Sequence, residues 1–270
     1  MLKGSDMQNK QKGKIKLIQK PFLTGQPTDS TSVKRSLSVL GTIVISMFIY
    51  LVAGPVLMIE NLVLRVLIAI AFEGMFVALC YSNGLNAGFA DVTFSEIAYQ
   101  RREDGKPLEA DEEKKCFNRL KGLISGLIGC LPLFFAALAL AVFTKPQWYT
   151  LSALPSWISA LERRTEIGNA LLMYHQDIGF GILEIIRILV RLAVMPFVTM
   201  VGAENVMGVV WVERLSPLVL LLPGIGYGIG YLGGPKARAR VHGDIAASVR
   251  RKKKREKKRM SQRKGPEQLI

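Results

Sequence analysis

The chain has 270 residues, of which 50% are hydrophobic, and it carries a formal net charge of +15. Its mean hydropathy is +0.27, which is above the usual value for a soluble domain and favours a membrane protein. Three cysteines and two histidines argue against a disulfide scaffold and against a histidine-built metal site. We therefore expect no bound metal and no cofactor.

The positive charge is concentrated in two terminal segments. Residues 1–36 contain eight Lys and Arg against two Asp, and residues 235–270 contain fourteen against three acidic residues. Both segments have few apolar residues, so they cannot bury enough surface to offset the entropy of ordering. The sequence thus predicts two basic, largely disordered tails on either side of a transmembrane domain at 37–234.

Four stretches have about the 20 apolar residues that cross a bilayer core. They are residues 37–58, 62–81, 122–143 and 215–232. The polar connection 82–121 begins with a glycine- and asparagine-rich stretch, 83–88, that is typical of turns. The sequence predicts an all-α polytopic membrane protein in which 82–121 is a cytosolic loop.

A further apolar stretch, 181–201, contains charges and can be interpreted in two ways. Glu184, Arg187 and Arg191 are spaced i, i+3 and i+7, so they share one stripe of a helix. Such a helix lies in the membrane interface or re-enters the membrane, or it crosses as a fifth span with its charges facing a polar interior. Pro196 kinks or ends the helix in either case.

The distribution of Lys and Arg predicts the orientation. Short basic flanks stay on the cytoplasmic side, which places the N-terminal tail and the 82–121 loop inside. With four spans the C-terminal tail is also inside, whereas with five spans its fourteen basic residues lie outside. We predict four spans, with both termini cytoplasmic, in a plasma membrane of bacterial type.

Glu73 is a carboxyl group in the middle of the second span. An ionisable residue at that depth is a candidate functional site, either protonated or paired with a cation. Arg187 and Arg191 are the cations available if 181–201 enters the membrane. The sequence leaves two roles open: an ion pair that fixes helix register, or part of a proton or solute path.

Glycines recur every four residues in the last span, at Gly226, Gly230 and Gly234. Small residues at this spacing let helix backbones approach closely in lipid. The stripe predicts helix packing, either within one subunit or between subunits of a homo-oligomer.

Basic residues after the last span are candidates for binding an anionic surface. They are Lys236, Arg238, Arg240, Arg250, Arg251, Lys252, Lys253, Lys254 and Arg255. Anionic lipid headgroups are the expected partner, and contact with nucleic acid or a ribosome is the alternative. No aromatic residues are interleaved, so base stacking is not expected.

No motif for catalysis is found in the sequence. We therefore expect a non-enzymatic membrane protein of accessory, assembly or regulatory type, whose basic tails contact anionic lipid or phosphate surfaces. The alternative is a small transporter or channel subunit in which Glu73, with Arg187 or Arg191, lines a polar path.

Overall fold

The computed structural model describes residues 17–57, 59–144, 181–202 and 205–263. Within these residues the chain is helical and forms no β-strand beyond one isolated bridge between Thr24 and Phe117. The helices are α1 (Ser30–Leu57), α2 (Leu62–Glu103), α3 (Ala110–Lys115), α4 (Arg119–Phe143), α5 (Ile182–Ala193), α6 (Met195–Val201), α7 (Val206–Val219), α8 (Leu222–Leu232) and α9 (Gly234–Arg263).

Four helical segments in the described part of the chain are long and apolar enough to cross a membrane. They are Ser30–Gly54, Leu62–Glu103, Arg119–Phe143 and Val206–Lys257, the last of which runs from α7 into α9. Only 11% of the apolar part of α2 is buried inside the protein, and an exposed apolar surface of this length is stable in lipid rather than in water. The predicted all-α polytopic membrane fold is confirmed.

The four spans alternate in direction. Gly84 and Gly88 on α2 lie against Tyr227 and Tyr231 on α8, so these two helices run in the same direction. Gly122 and Gly126 on α4 lie against Tyr231 and Gly224, in the reverse order, so α4 runs in the opposite direction. Helix α1 runs with α4, because Val39 lies against Gly129 and Met47 shares a buried cluster with Leu140. We call the end where α1 and α4 begin the tail end, and the end that contains the α1–α2 turn the hairpin end. Ile18 N donates to the carbonyl of Ala239 at 3.2 Å, so the segment before α1 and the start of α9 share the tail end.

Helix α2 is much longer than the predicted second span. It has 42 residues and a length of about 63 Å, twice the thickness of a bilayer core. The prediction of a loop from residue 82 was wrong, because Gly84 and Gly88 continue the helix and let α8 approach. A Cβ at either position would overlap a carbonyl oxygen of α8.

The doubtful segment 181–201 is broken into two short helices. The break is at Val194, and Pro196 stands in the first turn of α6, where its missing N–H is tolerated. Helix α5 has 12 residues, about 18 Å, which is too short to cross a bilayer core. The segment packs inside the hairpin end of the bundle, where Val190 and Val194 belong to the same buried cluster as Met47.

The described parts of the predicted disordered tails are ordered. Residues 17–29 form a strap across the tail end, with Leu23 N donating to Ser95 O at 3.4 Å and Gly25 N to Phe117 O at 3.0 Å. The C-terminal segment is helix α9. Tertiary partners on α2 and α4, which composition does not reveal, account for this difference. Residues 1–16 and 264–270 of the predicted tails, and the connection 145–180, lie outside the described residues.

Candidate functional site

The charges predicted on α5 meet a buried carboxylate on α7. Glu213 is 1% exposed, and its Oε1 lies 2.6 Å from Arg191 Nε. Arg187 Nε lies 3.4 Å from the same oxygen without hydrogen-bond geometry, while Arg187 also forms a 2.6 Å ion pair with Glu184. The Thr144 hydroxyl donates to Glu213 Oε2. In this Glu213 network two cations face two carboxylates, so the buried charge is balanced.

Sequence reasoning did not identify Glu213. It lies in the stretch between 181–201 and the predicted last span, which was not assigned to the membrane. The available signal was a single acidic residue preceded by the apolar run Val209–Val212, since a carboxylate in such a setting requires a buried partner.

Glu73 does not form an ion pair with Arg187 or Arg191, the two cations that the sequence analysis considered as its partners. Its Oε2 accepts a hydrogen bond from the Tyr50 hydroxyl at 3.3 Å, and no ion pair to Glu73 is formed within the described residues. It borders a cavity of about 410 Å³ between α2 and α6. The other lining residues are Ala69, Ile70, Gly74, Val77, Pro196, Phe197 and Met200. The cavity is therefore apolar and fits a hydrocarbon group better than a hydrated solute.

The glycine stripe of α8 packs within the chain. A Cβ at Gly230 would overlap the carbonyl oxygen of Tyr81, and one at Gly226 would meet Val77 at 3.0 Å. Gly234 lies against the backbone of Gly88. All three predicted glycines thus face α2, and backbones approach closely because no side chain separates them.

The opposite face of α8 packs against α4. Cβ atoms at Gly224 and Gly228 would lie 2.8 Å from Gly126 O and 2.9 Å from Leu123 Cα. Helix α8 is therefore enclosed between α2 and α4 of its own chain, and both of its glycine-lined faces are occupied.

A second buried charge cluster, which the sequence did not suggest, lies at the tail end. Asp91 on α2 accepts two hydrogen bonds from Arg35, at 2.5 and 2.7 Å, and one from the Tyr231 hydroxyl at 2.5 Å. Lys121 is fully buried and lies 3.9 Å from Asp91 and 2.9 Å from Asp29. This Asp91 network joins α1, α2, α4, α8 and the strap, with two cations facing two carboxylates.

Asp29 fastens the end of the strap to α4. Burial alone would raise the pKa of this carboxyl group, but hydrogen bonds from Lys121, Thr31 and Ser32 outweigh burial and lower the pKa from 3.8 to about 2. Asp29 is therefore charged at neutral pH. The resulting ion pair with Lys121 holds the strap against the bundle.

The first part of α9 is clamped to α2 by Glu96. Arg238 Nε and His242 Nε2 each lie 2.9 Å from the Glu96 carboxylate, which is buried. The guanidinium of Arg238 also lies 5.5 Å from the ring centroid of Phe89. Of the predicted anion-binding residues, Arg238 is thus engaged inside the protein, whereas Lys236, Arg240 and all six residues of 250–255 are exposed.

The described residues contain no group of three or more His, Cys, Asp or Glu side chains that could hold a metal ion. No protein-family model, no curated protein and no solved structure matches this chain.

Proposed function

We propose that this chain is a non-enzymatic plasma-membrane protein of accessory, assembly or regulatory type, and that its helix α9 holds an anionic surface. One observation carries the proposal. Helix α9 is fixed to the bundle at its start by Glu96, and it presents a run of exposed basic residues, 250–255, beyond that anchor.

The charges inside the bundle support the proposal that α9, and not the bundle, binds the partner. In the Asp91 network and in the Glu213 network the cations are balanced by an equal number of carboxylates. Balanced, hydrogen-bonded charges in a dry interior hold helices together rather than bind a partner. The bundle then acts as a membrane anchor for α9.

We further propose that the tail end is cytoplasmic and that the membrane is of bacterial type. The strap, the exposed bases after α2 and helix α9 all lie at this end, and a basic flank of this density is retained on the cytoplasmic side. Reporter fusions at the two termini test the orientation. An active external reporter at either terminus would contradict it.

The experiment for the main proposal uses the full chain in nanodiscs. The probes are inorganic polyphosphate and phosphatidylcholine vesicles with and without phosphatidylglycerol. We define the six-glutamine variant as the chain with residues 250–255 all replaced by Gln. It should lose at least tenfold in affinity for a probe that the wild type binds, because binding scales with the number of neutralised phosphates.

A matched control variant carries its substitutions at the same end of the protein but outside helix α9. In Arg102→Gln/Lys106→Gln/Lys115→Gln three exposed bases are neutralised, and binding should change much less than in the six-glutamine variant. Binding of neither polyphosphate nor anionic vesicles by the wild type would contradict the proposal.

The second candidate is a transporter or channel subunit, and the cavity beside Glu73 favours it. A mid-membrane carboxyl group with Tyr50 as its one hydrogen-bond partner in the described residues could exchange a proton with a bound molecule. Against it, Arg187 and Arg191 are held by Glu184 and Glu213. Proton flux in liposomes that depends on Glu73 would support this candidate.

A further inference from the structure

Helix α9 leaves the bundle parallel to α2. Gly234 packs against Gly88, and eight residues later along each helix His242 reaches Glu96. Equal numbers of residues between two contacts mean equal rises of about 12 Å along both helices. The two axes therefore run side by side in the same direction, and α9 continues the line on which α2 leaves the membrane.

This register sets the distance between α9 and the lipid. The apolar part of α2 ends near Tyr81, and Gly88 lies about 10 Å further along the helix. The headgroup layer adds only about 5–7 Å to each side of the core, so Gly234, level with Gly88, lies about 3–5 Å beyond its outer edge. Lys236 and Arg240 are the first exposed bases of α9, and helical side chains lean towards the N-terminus of their helix, which here faces the membrane. These two bases are therefore the ones on α9 that lie nearest the headgroups.

The distal basic run lies much further out. Arg250 follows Gly234 by 16 residues, which is about 24 Å of helix. If α9 tilts by about 40°, the upper end of the range for membrane helices, Arg250 still lies about 18 Å further from the membrane than Gly234. Lipid charge is screened within about 8 Å at physiological salt. The run 250–259 therefore lies outside the field of the headgroups while α9 stays docked on Glu96.

The composition of the run also disfavours a membrane surface. Residues 250–259 contain nine Lys and Arg, Glu256 and no apolar residue. A helix that inserts into the surface of a bilayer needs an apolar face below the headgroups, and the sequence of 250–259 supplies none. Nine bases in about 14 Å of helix give roughly one charge per 1.5 Å, close to the one phosphate charge per about 1.7 Å of a nucleic-acid duplex.

We infer that residues 250–259 bind the phosphate backbone of a nucleic acid, without base selectivity, and hold it about 20 Å or more from the membrane. This inference rests on the proposed function of α9 and names its partner class. Like charges four residues apart destabilise a helix. Bound phosphates neutralise these charges, so α9 becomes more stably helical over 250–259 when the polymer binds.

The test uses the full chain in phosphatidylcholine nanodiscs, with and without phosphatidylglycerol. The probes are single-stranded RNA and single-stranded DNA of equal length. The wild type should bind in both kinds of disc, and hydrogen exchange over 250–259 should slow on binding. The six-glutamine variant should lose at least tenfold in affinity at about 0.1 M salt. The slope of the logarithm of its binding constant against the logarithm of the salt concentration should be less steep by about four.

The matched control neutralises the exposed bases of α9 that lie nearest the headgroups. Lys236→Gln/Arg240→Gln should change nucleic-acid affinity by less than about threefold, because these bases lie outside the run that contacts the phosphates. A fluorophore at Met260→Cys should respond to the nucleic acid and should not be quenched by headgroup-labelled lipid. Equal loss of RNA and DNA binding in the six-glutamine variant would support a backbone contact.

The two proposals fail in distinguishable ways. If the Met260→Cys fluorophore is quenched by labelled lipid, and neither RNA nor DNA binds in anionic discs, the partner is the membrane surface. The inference is then wrong, whereas the proposed function stands. Nucleic-acid binding that survives in the six-glutamine variant also overturns the inference. If neither nucleic acid, polyphosphate nor anionic vesicles bind, both proposals fail.

Discussion

The tail half and the hairpin half of the bundle differ in how completely they are packed. In the tail half, α8 is enclosed between α2 and α4 with backbones in contact, and the Asp91 network and the Glu96 clamp tie in the strap and α9. In the hairpin half, the helices break at Val194 and after Val219. A cavity of about 410 Å³ lies there beside Glu73.

The two halves also differ in how completely their buried polar atoms are hydrogen-bonded. The structure has three buried side-chain polar atoms without a hydrogen-bond partner in its described residues, and two of them, Nε of Arg65 and Nε of Arg187, lie in the hairpin half. Gly202, with φ of +91°, also ends a short helix there in a conformation that favours glycine. The more completely packed half is therefore the one to which α9 is attached.

The largest expected effect is the loss of the central carboxylate of the tail half. Asp91→Asn leaves the guanidinium of Arg35 without its charged partner in a buried site, while Lys121 keeps Asp29, and the free energy of unfolding should fall by about 3–5 kcal/mol. Unfolding of the purified protein in detergent measures this. Asp111→Asn, on the exposed helix α3, is the control and should have no measurable effect. Equal stability of the two variants would contradict the role given to Asp91.

The next largest difference is expected between alanine substitutions of one glycine in each half of the bundle. Gly230→Ala places a Cβ against the carbonyl of Tyr81, where no flexible side chain can yield, and should cost about 3 kcal/mol. Gly74→Ala meets open space and should stabilise α2 by about 0.5–1 kcal/mol. Opposite signs in the same unfolding assay are expected, and a cost at both sites would show that the hairpin half is packed as tightly as the tail half.

The Glu213 network should be weaker than the Asp91 network. Asp91 accepts two hydrogen bonds from Arg35 and one from Tyr231, whereas Glu213 accepts one from Arg191 and one from Thr144, so the loss expected for Glu213→Gln is about 1.5–3 kcal/mol. The double variant Arg191→Gln/Glu213→Gln should cost less than the sum of the single variants, with a coupling of at least about 0.5 kcal/mol. Strict additivity in a double-mutant cycle would argue against the pair.

Acid should release the strap through Asp29. The pKa of Asp29 is lowered in the folded protein, to about 2 from 3.8, so its contribution to stability is fully present above about pH 4 and is lost as the pH falls towards 2. Hydrogen exchange over residues 17–29, normalised to the intrinsic rate, should rise in this interval. In Asp29→Asn the exchange should already be fast at neutral pH and nearly independent of pH.

The smallest effect is expected at Glu73. Glu73→Gln keeps an oxygen that accepts the Tyr50 hydrogen bond, so the free energy of unfolding should change by less than about 1 kcal/mol. Tyr50→Phe should behave similarly. A loss above 1.5 kcal/mol would reveal a charged partner for Glu73, and a simultaneous loss of proton flux in liposomes would favour the transporter candidate.

Several features of the fold could be predicted from local sequence. The apolar stretches predicted four spans, and the charged stripe with Pro196 predicted that 181–201 is not an ordinary span. The candidate site was predicted only in part. Arg187 and Arg191 were identified, but their partner Glu213 was not, because no spacing rule connects residues on α5 with a residue on α7. Asp91, Lys121 and Arg35 were missed for the same reason.

Two errors share one physical cause. Residues 83–88 are typical of a turn by composition, and residues 235–270 are typical of a disordered tail. In the structure Gly84 and Gly88 are instead the contact points for α8, and α9 is anchored by Arg238 and His242 on Glu96. Glycine serves both turns and close helix contacts, and only the neighbouring helix distinguishes them.

The sequence by itself determined that this is an all-helical membrane protein, and it predicted the four spans found within the described residues, because span length and charge distribution are local properties that water and lipid select directly. Only the tertiary structure decided which charges neutralise one another, that both glycine faces of α8 are occupied, and that α9 runs parallel to α2. These depend on contacts between residues distant in the chain, and such contacts become defined only when the helices pack.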